Sequence, residues 1–140
     1  MNYICAVPKE GFLFIHNKTL EDSKEYCILE TNQDVPFDEL LNINGKLYNC
    51  CSRTLNKDSD NKIIVEETIF NEEEYKIAQE ITCPYCGEEL SDSWEMSDSE
   101  DEVYCEGCKS TYAYERDYDI TYKSVPVKKN TKTVNIKSLL

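Results

Sequence analysis

Long apolar runs are missing from this chain. The longest, such as Phe12-Leu13-Phe14-Ile15, are far too short to cross a bilayer. The opening Met1-Asn2-Tyr3-Ile4-Cys5-Ala6-Val7 carries no basic leader, and Pro8-Lys9-Glu10-Gly11 interrupts it, so no secretion signal is expected. The expectation is a soluble protein of a reducing cytoplasm, without membrane contact. Histidine is nearly absent, with His16 alone, so a Cys–His nucleophile would have to be built on that one ring. No phosphate-cradling glycine loop, and no acid and base paired for a pocket, stands out. The sequence therefore points away from an enzyme.

Basic residues are scarce where acidic ones crowd. From Glu66 to Glu106 there are 15 acids against one base, Lys76, a net charge of −14 in a chain whose formal charge is −13. Nucleic-acid affinity comes mainly from cations set against phosphates, so this stretch should repel duplexes. Acidity also keeps small proteins soluble, and that plain reading stands beside the sharper one of a surface meant for a basic protein groove. After Pro126 the balance reverses, with Lys128, Lys129, Lys132 and Lys137 and no acid.

Cysteine is what the chain has in quantity. Eight cysteines in a reducing compartment point to metal before disulfide. Cys83-Pro84-Tyr85-Cys86-Gly87 and Cys105-Glu106-Gly107-Cys108 form two C-x-x-C pairs, with 18 residues between the inner cysteines. That spacing belongs to a tetrahedral zinc ribbon. Two residues between thiolates let a tight turn aim both sulfurs at one ion, and Gly87 and Gly107 supply permissive backbone for it. With sulfur in all four positions no place remains for a catalytic water, so one structural Zn²⁺ is expected on Cys83, Cys86, Cys105 and Cys108. Cys83-Pro84-Tyr85-Cys86 is also a redox tetrapeptide, but carboxylates follow it at once and would raise a thiol pKa that a nucleophile needs lowered. Cys5, Cys27, Cys50 and Cys51 read as small buried hydrophobes on strands. A second metal site is the alternative there, and adjacent Cys50 and Cys51 do not favour it.

The stretch from Cys83 to Tyr122 resembles the small zinc-ribbon proteins of phage and prophage genomes from low-GC bacteria. The matching residues are the two knuckles, Asp92-Ser93-Trp94-Glu95, Ser97-Asp98-Ser99-Glu100-Asp101 and the tyrosine-rich strand ending at Thr121-Tyr122. The resemblance implies zinc and a phage origin more than any activity.

The expected fold is mostly β (α+β). Residues 1–70 make a small α+β unit, 71–81 a linking helix, 82–125 the zinc ribbon and 126–140 a basic tail. In the first unit Tyr3–Val7 and Phe12–His16 suggest a hairpin, Tyr26–Leu29 a strand, Pro36–Leu41 a helical turn, Asn44-Gly45 a two-residue hairpin turn, Asn56–Asn61 a loop and Ile63–Val65 a strand. Asn71 followed by Glu72, Glu73 and Glu74 suggests a capped helix start. From Ser110 to Val125 strict alternation sets Tyr112, Tyr114, Tyr118, Ile120 and Tyr122 on one strand face. Core packing is the first reading of these tyrosines, and stacking on single-stranded bases the second. The tail is expected to be extended or mobile, with Val134, Ile136, Leu139 and Leu140 able to dock.

Between the knuckles lie Glu88, Glu89, Asp92, Trp94, Glu95, Asp98, Glu100, Asp101 and Glu102, a candidate partner-binding set. Trp94 is expected to cover the ribbon core, with an exposed anchor for a partner's pocket as the alternative. The leading functional expectation is a non-enzymatic, phage-encoded inhibitor or modulator whose acidic surface occupies a basic groove of a host nucleic-acid-handling or defence complex, for example of anti-CRISPR type. The alternatives are a nucleic-acid-binding or transcription-associated ribbon using the Lys-rich tail and the tyrosines, and a structural adaptor.

Overall fold

The computed structural model describes residues 1–53, 59–117 and 121–138. In chain order the elements are β1 (Asn2–Ala6), α1 (Phe12–His16), α2 (Leu20–Ser23), a 3-10 turn (Lys24–Tyr26), β2 (Cys27–Thr31), β3 (Leu40–Ile43), β4 (Lys46–Arg53) and β5 (Asn61–Glu67). They continue as β6 (Lys76–Ala78), β7 (Ile81–Thr82), β8 (Glu89–Leu90), a 3-10 turn (Ser93–Glu95), β9 (Ser99–Tyr104), β10 (Thr111–Arg116), β11 (Tyr122–Lys128) and β12 (Thr133–Asn135). The fold is mostly β, as expected. Two compact units share the chain. One is Met1–Thr68 with the stretch from Lys132 onward, and the other, Ile69–Thr131, is inserted between them in sequence.

The first unit is a six-stranded sheet in the order β12-β3-β4-β5-β1-β2, antiparallel except for β1 beside β5 and β12 beside β3. Period-two alternation decides its two faces. Ile4, Ile63 and Val65 join Leu29, Leu41, Ile43, Tyr48, Cys50 and Ile136 in the main core. Their neighbours Cys5 and Ile64 turn the other way and pack with Ile15 of α1. Asn44 and Gly45 both have positive φ, 53° and 87°, the conformation a tight β3–β4 hairpin requires.

Several expected elements differ, each for a physical reason. Phe12–His16 is a helix instead of the second strand of a hairpin. Ile15 is buried while Leu13 is 67% exposed, so the apolar run follows a three-residue period that lays one side on the sheet. The helix is short, and Lys62 closes it. Its Nζ donates to the carbonyls of Ile15 (2.9 Å), His16 (3.2 Å) and Lys18 (2.6 Å), groups that a helix end leaves without intrahelical partners. Leu40 and Leu41 lie in β3, not in a helical turn, because β4 on one side and β12 on the other supply ladders for them.

The linking helix expected over residues 71–81 does not form. Lys76–Ala78 is instead a strand paired with β11, and the backbone N–H groups of Asn71 and Glu73 donate to the carbonyls of Tyr85 and Pro84. An isolated helix of some ten residues is marginal in water, whereas the edge of β11 offers ready partners. The single strand expected from Ser110 to Val125 is two, β10 and β11, paired antiparallel with Tyr114 opposite Ser124 and Arg116 opposite Tyr122. Tyr118, Ile120 and part of the expected Asn56–Asn61 loop lie outside the described residues.

The tail expected from residue 126 onward is also structured. Residues 126–128 belong to β11, and β12 runs parallel to β3. Ile136 is 5% exposed in the core, and Val134 packs on it. Gln33 fixes the segment from its side chain, donating to the Asn135 carbonyl (2.9 Å) and accepting from the Lys137 N–H (3.3 Å). Leu139 and Leu140 lie outside the described residues. No helix among the described residues is long and apolar enough to cross a membrane.

Removing a buried aliphatic side chain of this kind costs about 2–5 kcal/mol. Ile136→Ala should therefore lower the stability of the first unit by that amount in urea unfolding followed by circular dichroism. A change under about 0.5 kcal/mol would mean that the segment from Lys132 is not part of the core.

Candidate metal centre

Two turns of the same construction carry the four cysteines. The first stands at the tip of the β7–β8 hairpin, where Ile81 pairs with Leu90 and Thr82 with Glu89. The Cys83 N–H donates to the Glu88 carbonyl (2.8 Å), and the Gly87 N–H donates back to the Cys83 carbonyl (2.9 Å). The second follows β9 and precedes β10. There the Cys105 N–H donates to the Ser110 carbonyl (2.8 Å), and the Lys109 N–H to the Cys105 carbonyl (2.8 Å). Each turn needs a left-handed residue four places after its first cysteine. That residue is Gly87 (φ 84°) in one and Lys109 (φ 64°) in the other.

The turns face each other. The Cys83 and Cys108 sulfurs are 3.7 Å apart and those of Cys86 and Cys105 3.6 Å, and all four lie within 4.8 Å of one another. An S–S bond is roughly 2.05 Å, so these are not disulfides. A tetrahedral ion with metal–sulfur bonds of about 2.3 Å would hold its sulfurs about 3.8 Å apart, close to the distances of these two pairs. All four sequence-predicted ligands are therefore brought together in a group able to hold a metal ion. Hydrogen bonds from Cys105, then Cys83 and Cys86, hold the Cys108 thiol far below its usual range. The Cys105 thiol is pushed up, by Cys108 first and Cys83 next. For all four to act as thiolate ligands the remaining protons must leave, and a cation at their centre would offset the resulting charge.

An aromatic core encloses the site. Tyr85, Tyr112, Tyr114 and Tyr122 pack with Ile81 around the sulfurs, with Phe70, Leu90 and Val103 at the margin. Tyr112 is 1% exposed, and burial raises its hydroxyl pKa well above normal, followed by the charge of Cys105. The described tyrosines of the alternating face are therefore core, and no flat ring of theirs is free to stack on a base.

Their hydroxyls reach outward to hold the segment between the knuckles. Tyr122 donates to the Ser93 carbonyl (2.9 Å) and Tyr114 to that of Ser97 (2.9 Å). Arg116 adds an ion pair to Asp98 (3.0 Å) and a hydrogen bond to the Met96 carbonyl (3.2 Å). Sequence reasoning missed these holders; Arg116 breaking the tyrosine alternation was the available signal.

The candidate partner-binding residues separate on inspection. Glu88 is exposed like its neighbours but is engaged within the site: its Oε2 accepts from the Gly107 N–H (2.9 Å) and lies 3.1 Å from the Cys105 sulfur. Gly107 has no positive φ of the kind that explains Gly87; a Cβ there would stand 2.8 Å from the Glu88 carboxylate, whose side chain would have to shift. Glu89, Asp92, Glu95, Asp98, Glu100, Asp101 and Glu102 are exposed. The last three stand on β9, an edge strand of the sheet ordered β6-β11-β10-β9. Trp94 does not cover the ribbon core. It is 69% exposed, because tyrosines already fill the space expected for it.

The other thiols belong to the first unit. Cys5 and Cys50 are buried, Cys27 and Cys51 half-buried, all on strands. Burial, and after it the charge of its cross-strand neighbour Cys27, pushes the Cys5 thiol up to about 11. A thiol so placed is a poor nucleophile. The His16 ring stacks on Phe12, with centroids 5.0 Å apart. Compared with family models, with curated proteins and with solved structures, the chain matches none.

Two outcomes follow from this geometry. Cobalt(II) added to chelator-treated protein should give, at one equivalent, the intense visible bands of a tetrahedral thiolate site, and Cys108→Ser should abolish them; weak octahedral bands would contradict the arrangement. Glu88→Gln keeps an acceptor for Gly107 and removes a negative charge beside the Cys105 thiolate. It should slow metal loss to a competing chelator about threefold or more, whereas faster loss would show that the carboxylate supports the site.

Proposed function

We propose that this chain is a non-enzymatic, zinc-stapled binding protein of phage origin. In this reading it works in the host cytoplasm, where its acidic surface occupies the basic groove of a nucleic-acid-handling or defence complex, with inhibition of a CRISPR effector as one concrete version. Zinc is the natural occupant of four cysteine sulfurs at tetrahedral spacing. Such a set leaves no coordination position for substrate and so supports a structural role.

One observation carries the reading of the surface. Glu100, Asp101 and Glu102 are consecutive, exposed and held on an ordered edge strand instead of a free loop. Like charges so fixed repel each other, and among the described residues none gives Glu100, Asp101 or Glu102 an ion pair of the kind that Arg116 gives Asp98. A surface already ordered meets a basic groove with little further loss of chain freedom. The nucleic-acid alternative is supported less well. Lys129 is paired with Glu72 at 2.9 Å, and Tyr112, Tyr114 and Tyr122 are buried.

Elemental analysis of protein purified without chelator should give one zinc per chain. The surface is tested with Glu100→Gln, Asp101→Asn and Glu102→Gln combined; Asp98 is left intact because it holds Arg116. Immobilised protein should retain basic nucleic-acid-handling proteins from a low-GC bacterial lysate and release them as salt rises. The triple variant should retain about tenfold less, through slower association. Equal retention at every salt concentration would reduce the acidic belt to a solubility feature. A salt-dependent mobility shift with plain duplex DNA would favour the nucleic-acid alternative instead.

A further inference from the structure

A tryptophan standing in water on a small protein is unusual enough to require a reason. Trp94 is the chain's only one and is 69% exposed, with Met96 beside it at 41%. The turn that carries them is held firmly from below. Ser93 is 1% exposed; its hydroxyl accepts from the Ile81 N–H (2.8 Å) and donates to the Leu90 carbonyl. Its carbonyl takes the Tyr122 hydroxyl at 2.9 Å. Arg116 Nη2 lies 3.2 Å from the Met96 carbonyl and 3.5 Å from that of Trp94, while Nη1 pairs with Asp98. Backbone on both sides of the indole is thus tied to the core around the sulfurs, while the ring itself points to solvent.

From this we infer that Trp94, with Met96, is the apolar anchor of the interaction surface, and that it seats in an aliphatic cleft of a protein bordered by Lys and Arg. The inference rests on the reading of the acidic surface above and names the residue that gives it affinity. Charge complementarity selects the occupant. Exposed Asp92 and Glu95 flank the indole in sequence, and β9 follows with three further carboxylates. An anionic membrane or a nucleic acid is repelled by that border, and a second copy of this surface is repelled by its own. A basic protein gains twice, from ion pairs at the rim and from burial of the ring, which is how aromatic anchors dominate interfaces. A backbone already fixed loses little freedom when the ring docks.

The sole tryptophan also reports on its own burial. Full-length metal-loaded protein is titrated with a synthetic helical peptide that carries a leucine stripe bordered by lysines. Oligolysine of equal charge, a leucine–glutamate analogue and phosphatidylglycerol vesicles are titrated in parallel. The expected result is a blue shift of indole emission with the leucine–lysine peptide alone. Trp94→Ala should bind that peptide about thirtyfold more weakly, with oligolysine binding unchanged and the cobalt spectrum intact. Wild-type affinity in Trp94→Ala, no shift on saturation, or an equal shift with the glutamate analogue or the vesicles would overturn the inference. The β9 triple variant separates the two claims. If it alone loses the peptide, the acidic surface stands and the anchor falls; if Trp94→Ala alone loses it, the anchor stands without the acidic surface.

Discussion

Four sulfur atoms within 4.8 Å of one another are the constraint on which the unit Ile69–Thr131 depends. Crowded thiolates repel, and only a central cation turns that repulsion into a cross-link. A unit of this size has only a small hydrophobic core, so the binding energy of a cation held by the four sulfurs would add directly to its folding energy. An ion there would join the β7–β8 hairpin to the β9–β10 pair, two pieces whose strands do not hydrogen-bond to each other.

Outward from the sulfurs the structure is layered. Tyr112 lies against the site, Tyr114 and Tyr122 surround it, and the hydroxyls of the latter two hold Ser93 and Ser97. Each tyrosine thus contributes a ring to the core and a donor to the segment above. Arg116 does the same with a guanidinium, over the Tyr122 ring on one side and against Asp98 on the other. The acidic segment and the indole are therefore tied back to the sulfur cluster through two layers of side chains. An acidic loop without that support would collapse away from its own charge or remain an ensemble.

The cluster of four cysteines was legible in the sequence because C-x-x-C spacing is a local rule that needs no tertiary information. The β3–β4 hairpin at Asn44-Gly45 was legible for the same reason. Elements were misread where a neighbour distant in sequence decided the outcome. Lys76–Ala78 became a strand because β11 lay beside it, and Leu40-Leu41 because β12 supplied a second ladder. Phe12–His16 was ambiguous in principle, since a short apolar run fits strand and helix equally. At the site, Glu88 looked like one more surface acid; its reach across to Gly107 is a contact over 19 residues that no spacing rule announces. Trp94 was expected inside because isolated tryptophans usually are, and the tyrosines had taken the place.

The central claim is that the metal holds the second unit together and, through it, the surface outside. Amide hydrogen exchange on the full chain, before and after removal of the metal by a chelator, tests it most directly. The account predicts that protection in Ile81, Thr111–Arg116 and Tyr122–Lys128 falls by several orders of magnitude, while Ile4, Leu41 and Val65 stay protected. Unchanged protection of β10 and β11 in metal-free protein would contradict it, since the tyrosine core would then be holding the sulfurs instead of the reverse.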